Sequence, residues 1–210
     1  MPCIDYKKEQ KHIVILDICF GLGFNVLTTL YYLDTLHVTP SIHIISPEFD
    51  RELVSSLDTF IYPKEFEAYQ HIIDAIAKQG FYKDERIHIE VIFGDARTYL
   101  LTCKEKFDIV YQDAFSPEAN PLLWSHEYFA SISQCIKDNG LLSTYSIALK
   151  IRLALYENGF TIYLLKQKYT RDSTLASKSL PLNANYIDMP HKITCNPHVV
   201  SIKDSDIVIK

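Results

Sequence analysis

The sequence predicts an α/β fold, a mainly parallel sheet with helices on both faces, on three observations. Short β-branched runs take turns with amphipathic stretches along most of the chain. A glycine turn, Cys19-Phe20-Gly21-Leu22-Gly23, joins the first such run to the first helical stretch. Acidic residues recur directly after strand-like runs, at Glu48, Asp95 and Asp113. Alternation of this kind favours parallel strands joined by crossover helices, the Rossmann-like arrangement. In such sheets ligands bind beyond the carboxyl ends of the strands, so functional side chains are expected just after strands.

His12 to Ile18 (HIVILDI) reads as the first strand, and Phe24 to Leu36 as a helix with apolar residues at helical spacing. Ser41 to Ser46 is a second short strand. Lys64 to Gln79 places Phe66, Tyr69, Ile72, Ile73 and Ile76 on one helical face and ends at Gly80. Arg86 to Phe93 alternates as a third strand, a short helix runs from Gly94 to about Cys103, and Phe107 to Tyr111 is a fourth strand. A Pro-interrupted loop leads to a helix from about Ser125 to Lys137, which Asp138-Asn139-Gly140 is expected to stop. Leu141 to Tyr145, a helix from about Ile147 to Asn158, and Thr161 to Gln167 continue the alternation. The stretch from Leu180 to Lys210, with Pro181, Pro190, Pro197 and a late β-like run Ile207-Val208-Ile209, has no predicted place on the sheet.

The chain has 210 residues, 48% of them hydrophobic, enough for one buried core and within single-domain size. No run approaches the roughly 18 apolar residues of a membrane helix, and the first residues are too polar for a signal peptide, so a cytoplasmic protein with no membrane partner is expected. Cys3, Cys19, Cys103, Cys135 and Cys195 are scattered without a C-x-x-C pair, which suits reduced thiols. A formal charge of −5 argues against non-specific coating of nucleic acid. The most basic stretch near the inferred chemistry runs from Lys150 to Lys178, with Arg152, Lys166, Lys168 and Arg171 against Glu157 and Asp172, and on composition it reads as a solvated face of mixed charge.

Asp17 through Gly23 joins a strand to a helix, and its glycines let backbone approach a ligand at a helix N-terminus. The loop alone is compatible with a dinucleotide pyrophosphate, with the carboxypropyl end of S-adenosylmethionine, or with no ligand. Glu48 can accept both hydroxyls of a ribose. Asp95, in Gly94-Asp95-Ala96, can accept the exocyclic amine of adenine. Together these favour an adenosine-bearing ligand over surface carboxylates. The segment after the fourth strand, Gln112-Asp113-Ala114-Phe115-Ser116-Pro117-Glu118-Ala119-Asn120-Pro121-Leu122-Leu123-Trp124, places a carboxylate, aromatics and a proline loop at the mouth of the sheet. Asp113 can accept the N–H of an amine, orient its lone pair and take its proton, with Phe115 and Trp124 against a flat base. Equally, Asp113 can cap a turn before Pro117 and Trp124 can be core.

Phe20-Gly21-Leu22-Gly23-Phe24-Asn25, Gly94-Asp95-Ala96, Asp113-Ala114-Phe115-Ser116-Pro117 with Asn120-Pro121 and Trp124, Ser143-Thr144-Tyr145-Ser146, Arg152 and Gly159-Phe160 occur in this order. In that order they resemble the MnmC-type tRNA methyltransferases, in their stand-alone form, from about Ile13 to Lys178. The resemblance implies a class I S-adenosyl-L-methionine-dependent fold over residues 1–180, with 181–210 a tail of unassigned structure. It implies methylation of the 5-aminomethyl group of the tRNA wobble uridine, with no metal. Asp17, Gly21, Gly23, Asn25, Glu48, Asp95 and Ala96 would bind the cofactor. Asp113 would be catalytic, and Phe115, Pro117, Asn120, Trp124 and Arg152 would meet the substrate. Some members carry a flavin-dependent oxidase domain that prepares the substrate. The chain ends too early for one, so an oxidase acting upstream would be a separate partner. Oligomeric state is not addressed by the resemblance. Three departures stand out: Cys19 in place of a glycine, Ala119 in place of a frequent lysine, and a first strand only about a dozen residues from Met1.

Rival readings are a nucleotide-dependent oxidoreductase, for which no catalytic His, Tyr-Lys or Ser set is evident, a polyamine-type small-amine transferase, and a degenerate S-adenosylmethionine-binding module without turnover. His191, Cys195 and His198 lack a metal-binding frame. The remaining histidines (His12, His37, His43, His71, His88 and His126) read as structural or exposed, and no metal is expected.

Overall fold

A computed structural model of the protein describes residues 2–167, 171–179 and 181–208, so the readings at Lys168, Leu180 and Ile209 lie outside the described residues. In chain order the elements are α1 (Pro2–Asp5), β1 (His12–Ile18), α2 (Phe24–Thr35), β2 (Ser41–Glu48), α3 (Arg51–Ser55), α4 (Gln70–Gln79), β3 (Phe81–Lys83) and β4 (Ile87–Phe93). They continue as α5 (Ala96–Thr102), β5 (Phe107–Gln112), α6 (His126–Cys135), β6 (Ile136–Thr144), α7 (Leu149–Glu157), β7 (Thr161–Leu165), β8 (Ser173–Ser177), β9 (Asn185–Tyr186) and α8 (Met189–Cys195). Two compact units divide them: Met1–Tyr99 with Phe107–Tyr111, and Leu100–Lys106 with Gln112–Lys210.

In the first unit the strand order is β3-β4-β2-β1-β5. β1 and β2 pair in parallel from His12 opposite Ser41, and β2 and β4 pair in parallel from Ile42 opposite Ile87. Ile13, Ile15, Leu16 and Ile18 of β1 and Ile44 of β2 are fully buried, as are Val26, Leu27, Leu30 and Leu33 of α2. Near-continuous apolar strands of this kind belong to a sheet covered on both faces. Asp108 of β5 is also buried, and its Oδ2 accepts the Val14 backbone N–H at 2.9 Å, so this interior carboxylate is satisfied by β1.

The predicted helix from Lys64 divides. Lys64–Tyr69 is a 3-10 turn behind Pro63, and α4 starts only at Gln70, burying Ile72, Ile73 and Ile76. Gly80 then closes it in the left-handed region at φ 81°, donating its N–H to Ile76 O, as a C-terminal glycine should. β3 was not predicted: it is short and pairs antiparallel with β4 through the Asp84 turn, whose Oδ1 accepts the Arg86 and Ile87 N–H groups.

The second unit departs from the expected alternation. Its order is β6-β8-β7-β9, and every one of these pairings is antiparallel. The segment after Asp172, arriving late in sequence, lies between β6 and β7 as β8. Asp138-Asn139-Gly140 does not stop α6 at that point. The helix ends at Cys135 and the three residues lie within β6, where the Asp138 carbonyl accepts Ser179 N–H and Oγ–H at 3.2 and 2.7 Å. Long-range pairing has overridden a local turn preference.

The tail takes definite structure. Tyr186 of β9 pairs with Tyr163 of β7. Pro190 sits in the first turn of α8, where a proline's missing N–H costs nothing, and Asp188 caps the helix by accepting His191 N–H at 3.0 Å. His126 N–H donates to Ile202 O, Ser201 Oγ to Glu157 Oε2 and Asp204 N–H to Glu127 Oε2. Ile207 and Val208 form no strand.

Candidate active site

In the first unit the loop between β1 and α2 turns through positive φ at Cys19 (67°), Gly21 (53°) and Gly23 (72°). A Cβ on Gly21 would meet nothing nearer than Cys19 O at 4.0 Å, and one on Gly94 nothing within 4 Å, so both glycines present open backbone to a ligand. At Gly23 the same Cβ would lie 3.0 Å from the Phe20 ring. Cys19 occupies the left-handed region with a side chain attached, a conformation costing about 1–2 kcal/mol for an L-residue.

Glu48 is the last residue of β2, two residues beyond the predicted strand end, and is buried. Its Oε2 accepts Gly21 N–H at 3.0 Å and its Oε1 accepts Asp50 N–H at 2.8 Å. Each oxygen keeps a lone pair for a ribose hydroxyl. Asp17 is fully buried, with Oδ1 accepting from the Asn25 side-chain amide at 2.9 Å and Ser46 Oγ donating to its carbonyl at 2.6 Å. These two residues therefore fix the ends of the loop. Gly94 N–H donates to Glu48 O at 2.9 Å, which brings β2 and β4 into step. The exposed Asp95 follows and caps α5, with Oδ1 accepting Arg97 N–H at 2.6 Å; Ala96 is buried beside it. Two residues went unnoticed in the sequence: Phe49, 84% exposed beside Glu48, and Tyr62, whose hydroxyl donates to Leu22 O at 3.0 Å. Burial pushes the Tyr62 phenol up to about 12. No periodicity marks either residue. The open glycine backbone, the buried ribose-type acceptor and the exposed carboxylate fit an adenosine-bearing ligand.

In the second unit the segment after β5 is clamped at successive residues. Gln112 is buried, donating from Nε2 to Leu123 O at 2.9 Å and accepting from Tyr128 Oη at 2.7 Å. Ala114 O accepts from Tyr145 Oη at 3.0 Å, and Phe115 O accepts from Trp124 Nε1 at 2.6 Å. Ser116 O accepts from Ala119 and Asn120 N–H, both at 2.9 Å, forming the turn that carries half-buried Pro117 and Asn120. Asp113 is exposed on this fixed backbone and Phe115 is 77% exposed. Trp124 is fully buried against Tyr145 and Phe129, so it holds the Phe115 backbone and has no ring face to give to a base. Arg152 donates from Nε to Thr174 Oγ1 at 3.0 Å, Thr174 donates on to Ser146 O, and Nη2 is buried without a hydrogen-bond partner. Burial lowers the Arg152 pKa, opposed by the nearby Asp172 charge.

Tyr145, within the Ser143–Ser146 segment, joins the site through its hydroxyl on Ala114 O. Burial raises its pKa, and so do the Asp113 and Glu118 charges facing it. Tyr145→Phe removes the bond to Ala114 O and with it about 1 kcal/mol of loop positioning. The expected result is an about fivefold fall in kcat with cofactor affinity unchanged. The basic stretch is not a bare cationic face: Lys150 pairs with Glu118 at 3.4 Å, and Lys178 Nζ donates to Ser133 O.

A family model described as S-adenosyl-L-methionine-dependent methyltransferase matches residues 64–179, more than half of the chain. A tRNA 5-methylaminomethyl-2-thiouridine biosynthesis bifunctional protein MnmC of Leptospira interrogans is 31% identical over 73% of this chain and 25% of its own length. The protein of the same name from Campylobacter fetus is 30% identical over 80% of this chain and 28% of its own. The chain thus spans about a quarter of the length of these relatives. The crystal structure of MnmC2 from Aquifex aeolicus aligns with a TM-score of 0.81 and 27% identity, covering 99% of this chain and 67% of that one. With the α/β arrangement and the open glycine loop, these matches give the protein a class I, Rossmann-like fold and S-adenosylmethionine as its cofactor, and the chain belongs to the family of S-adenosyl-L-methionine-dependent methyltransferases.

Proposed function

We propose that the protein methylates the 5-aminomethyl group of the wobble uridine of tRNA, giving 5-methylaminomethyluridine. The observation that carries this reading is Asp113, an exposed carboxylate on a backbone that Tyr145, Trp124 and Gln112 hold in place. S-adenosylmethionine supplies, when bound, an electrophilic methyl group. Gly21 and Gly23 would line its methionine part with open backbone, Glu48 would accept its ribose hydroxyls and Asp95 its adenine amine. Asp17 and Asn25 hold the loop that does this.

An alkyl amine attacks only as the neutral base. Asp113 accepts the amine N–H, aims the lone pair and receives the proton, directly or through water. Orientation of this kind lowers the barrier by replacing a random encounter. Phe115 offers an exposed ring face to the uracil, the way single-stranded bases are held on aromatic side chains. Pro117 and Asn120 shape the turn beneath it. Arg152 bears on the substrate side only through its brace to Thr174 and Ser146.

No helix among the described residues is long and apolar enough to cross a membrane. In this reading the protein works in the cytoplasm, on tRNA whose aminomethyl group a flavin-dependent oxidase has prepared. The test is transfer of labelled methyl from S-adenosylmethionine to three acceptors: tRNA bearing 5-aminomethyluridine, tRNA lacking it, and spermidine. Label confined to the first supports the reading. Label in spermidine would move the assignment to a small-amine transferase, and cofactor binding without label in any acceptor would mean a module that has lost turnover.

A further inference from the structure

The parallel register of β2 and β4 sets His43 directly opposite His88. Glu90, two residues along β4, points to the same face. The two imidazole rings stack at 4.4 Å with planes 6° apart. Both aim the same nitrogen at one atom: His43 Nε2 lies 2.9 Å and His88 Nε2 3.0 Å from Glu90 Oε1. The three donor atoms fall within 4.8 Å of one another, and among the described residues no other group of three or more His, Cys, Asp or Glu gathers this way.

We propose that His43, His88 and Glu90 form a divalent transition-metal site, with zinc(II) as the cation its donors suit. Two imidazole nitrogens and one carboxylate oxygen are the ligand types zinc takes, at bonds of about 2.0–2.2 Å. Neighbouring ligands in a tetrahedron of that size stand about 3.3 Å apart, so the two Nε2–Oε1 spacings open slightly to admit the ion, and one of the stacked rings rotates out of parallel so that both in-plane lone pairs meet it. All three side chains are partly exposed, and His88 and Glu90 line a surface groove with Arg51, Gln79 and Phe81, which gives the ion a path from solvent. Lys83, opposite His88 on β3, and Arg51, in the lining of the same groove, oppose a cation.

The site is not part of the methyl-transfer chemistry. His43 precedes Glu48 by five residues and Glu90 precedes Asp95 by five, about 16 Å along the strands. Its effect is to tie β2 to β4, and because the unfolded chain lacks the cluster, bound metal stabilises the folded state.

The experiment titrates metal-stripped full chain with cobalt(II), followed by its visible absorption, and with zinc(II) in competition. It is run in a Cys195→Ser background, because exposed Cys195 lies 3.5 Å from His191 Nε2 and would offer a thiolate site of its own. The expected result is saturable binding of one cobalt per chain, without a thiolate charge-transfer band, displaced by zinc. His43→Gln and His88→Gln should each weaken it at least about tenfold, and Lys83→Gln should tighten it. Retained S-adenosylmethionine binding confirms that each variant is folded. Zinc should raise the Tm of the parent but not of His43→Gln/His88→Gln. Absence of saturable binding, or binding that survives both histidine changes, overturns the proposal.

Discussion

Asp113→Asn is expected to lower kcat by about 10²- to 10⁴-fold while S-adenosylmethionine affinity stays at the wild-type value. Asparagine fills the same space, and the loop is held through the Ala114, Phe115 and Leu123 carbonyls by Tyr145, Trp124 and Gln112. The change therefore removes a negative acceptor and leaves the backbone in place. An amide can still accept an N–H but cannot take the proton. Single-turnover transfer, with cofactor affinity measured separately by calorimetry, separates the two effects. A second readout is the pH profile. Without Asp113 the substrate must lose its proton to solvent, so the rate of the variant should keep rising with pH through the amine pKa, while the wild type levels off earlier. A variant with full activity would remove Asp113 from the mechanism.

Glu48→Ala is expected to weaken S-adenosylmethionine binding by about 10- to 100-fold and to cost roughly 1–3 kcal/mol of stability. Two backbone donors, Gly21 N–H and Asp50 N–H, lose their acceptor, and the Gly21 end of the loop loses its tie to β2. The affinity loss combines the missing ribose acceptor with the freed loop. Glu48→Gln distinguishes these contributions: one amide oxygen can keep a single backbone bond, so stability should recover more than affinity. Isothermal titration and urea unfolding on the same preparations check both. Unchanged affinity in Glu48→Ala would mean the ribose is held elsewhere.

Much of the first unit was legible in the sequence because β1 is apolar on both faces and α4 ends on a glycine. β1 matches the predicted bounds, and Gly80 ends α4 where expected. The second unit was harder for a physical reason. β6, β7 and β8 look like strands locally, but nothing in a strand's own residues says which neighbour it takes or in which direction. Asp138-Asn139-Gly140 has every turn propensity and still lies in β6, because Ser179, more than forty residues on, satisfies the Asp138 carbonyl.

Among the candidate site residues, Gly21, Glu48 and Asp95 lie at or just beyond the carboxyl ends of β1, β2 and β4, where the rule that ligands sit after strands puts them, while Asp17 lies inside β1. Trp124 left two readings open, and its burial selects the packing one. Tyr145 and Tyr62 escaped because each acts by a single hydroxyl contact to a distant carbonyl. The His43, His88 and Glu90 cluster was invisible for the same reason that strand pairing was: the register of β2 on β4 creates it. Read singly, each histidine looked structural.

The most direct test of the proposed chemistry is nucleoside mass spectrometry of tRNA digested after incubation with enzyme and S-adenosylmethionine. 5-Aminomethyluridine at the wobble position is expected to disappear as 5-methylaminomethyluridine appears in equal amount, with every other nucleoside unchanged. A methyl group found on a ribose, on a ring atom or on another nucleoside, with the aminomethyl group intact, would contradict it.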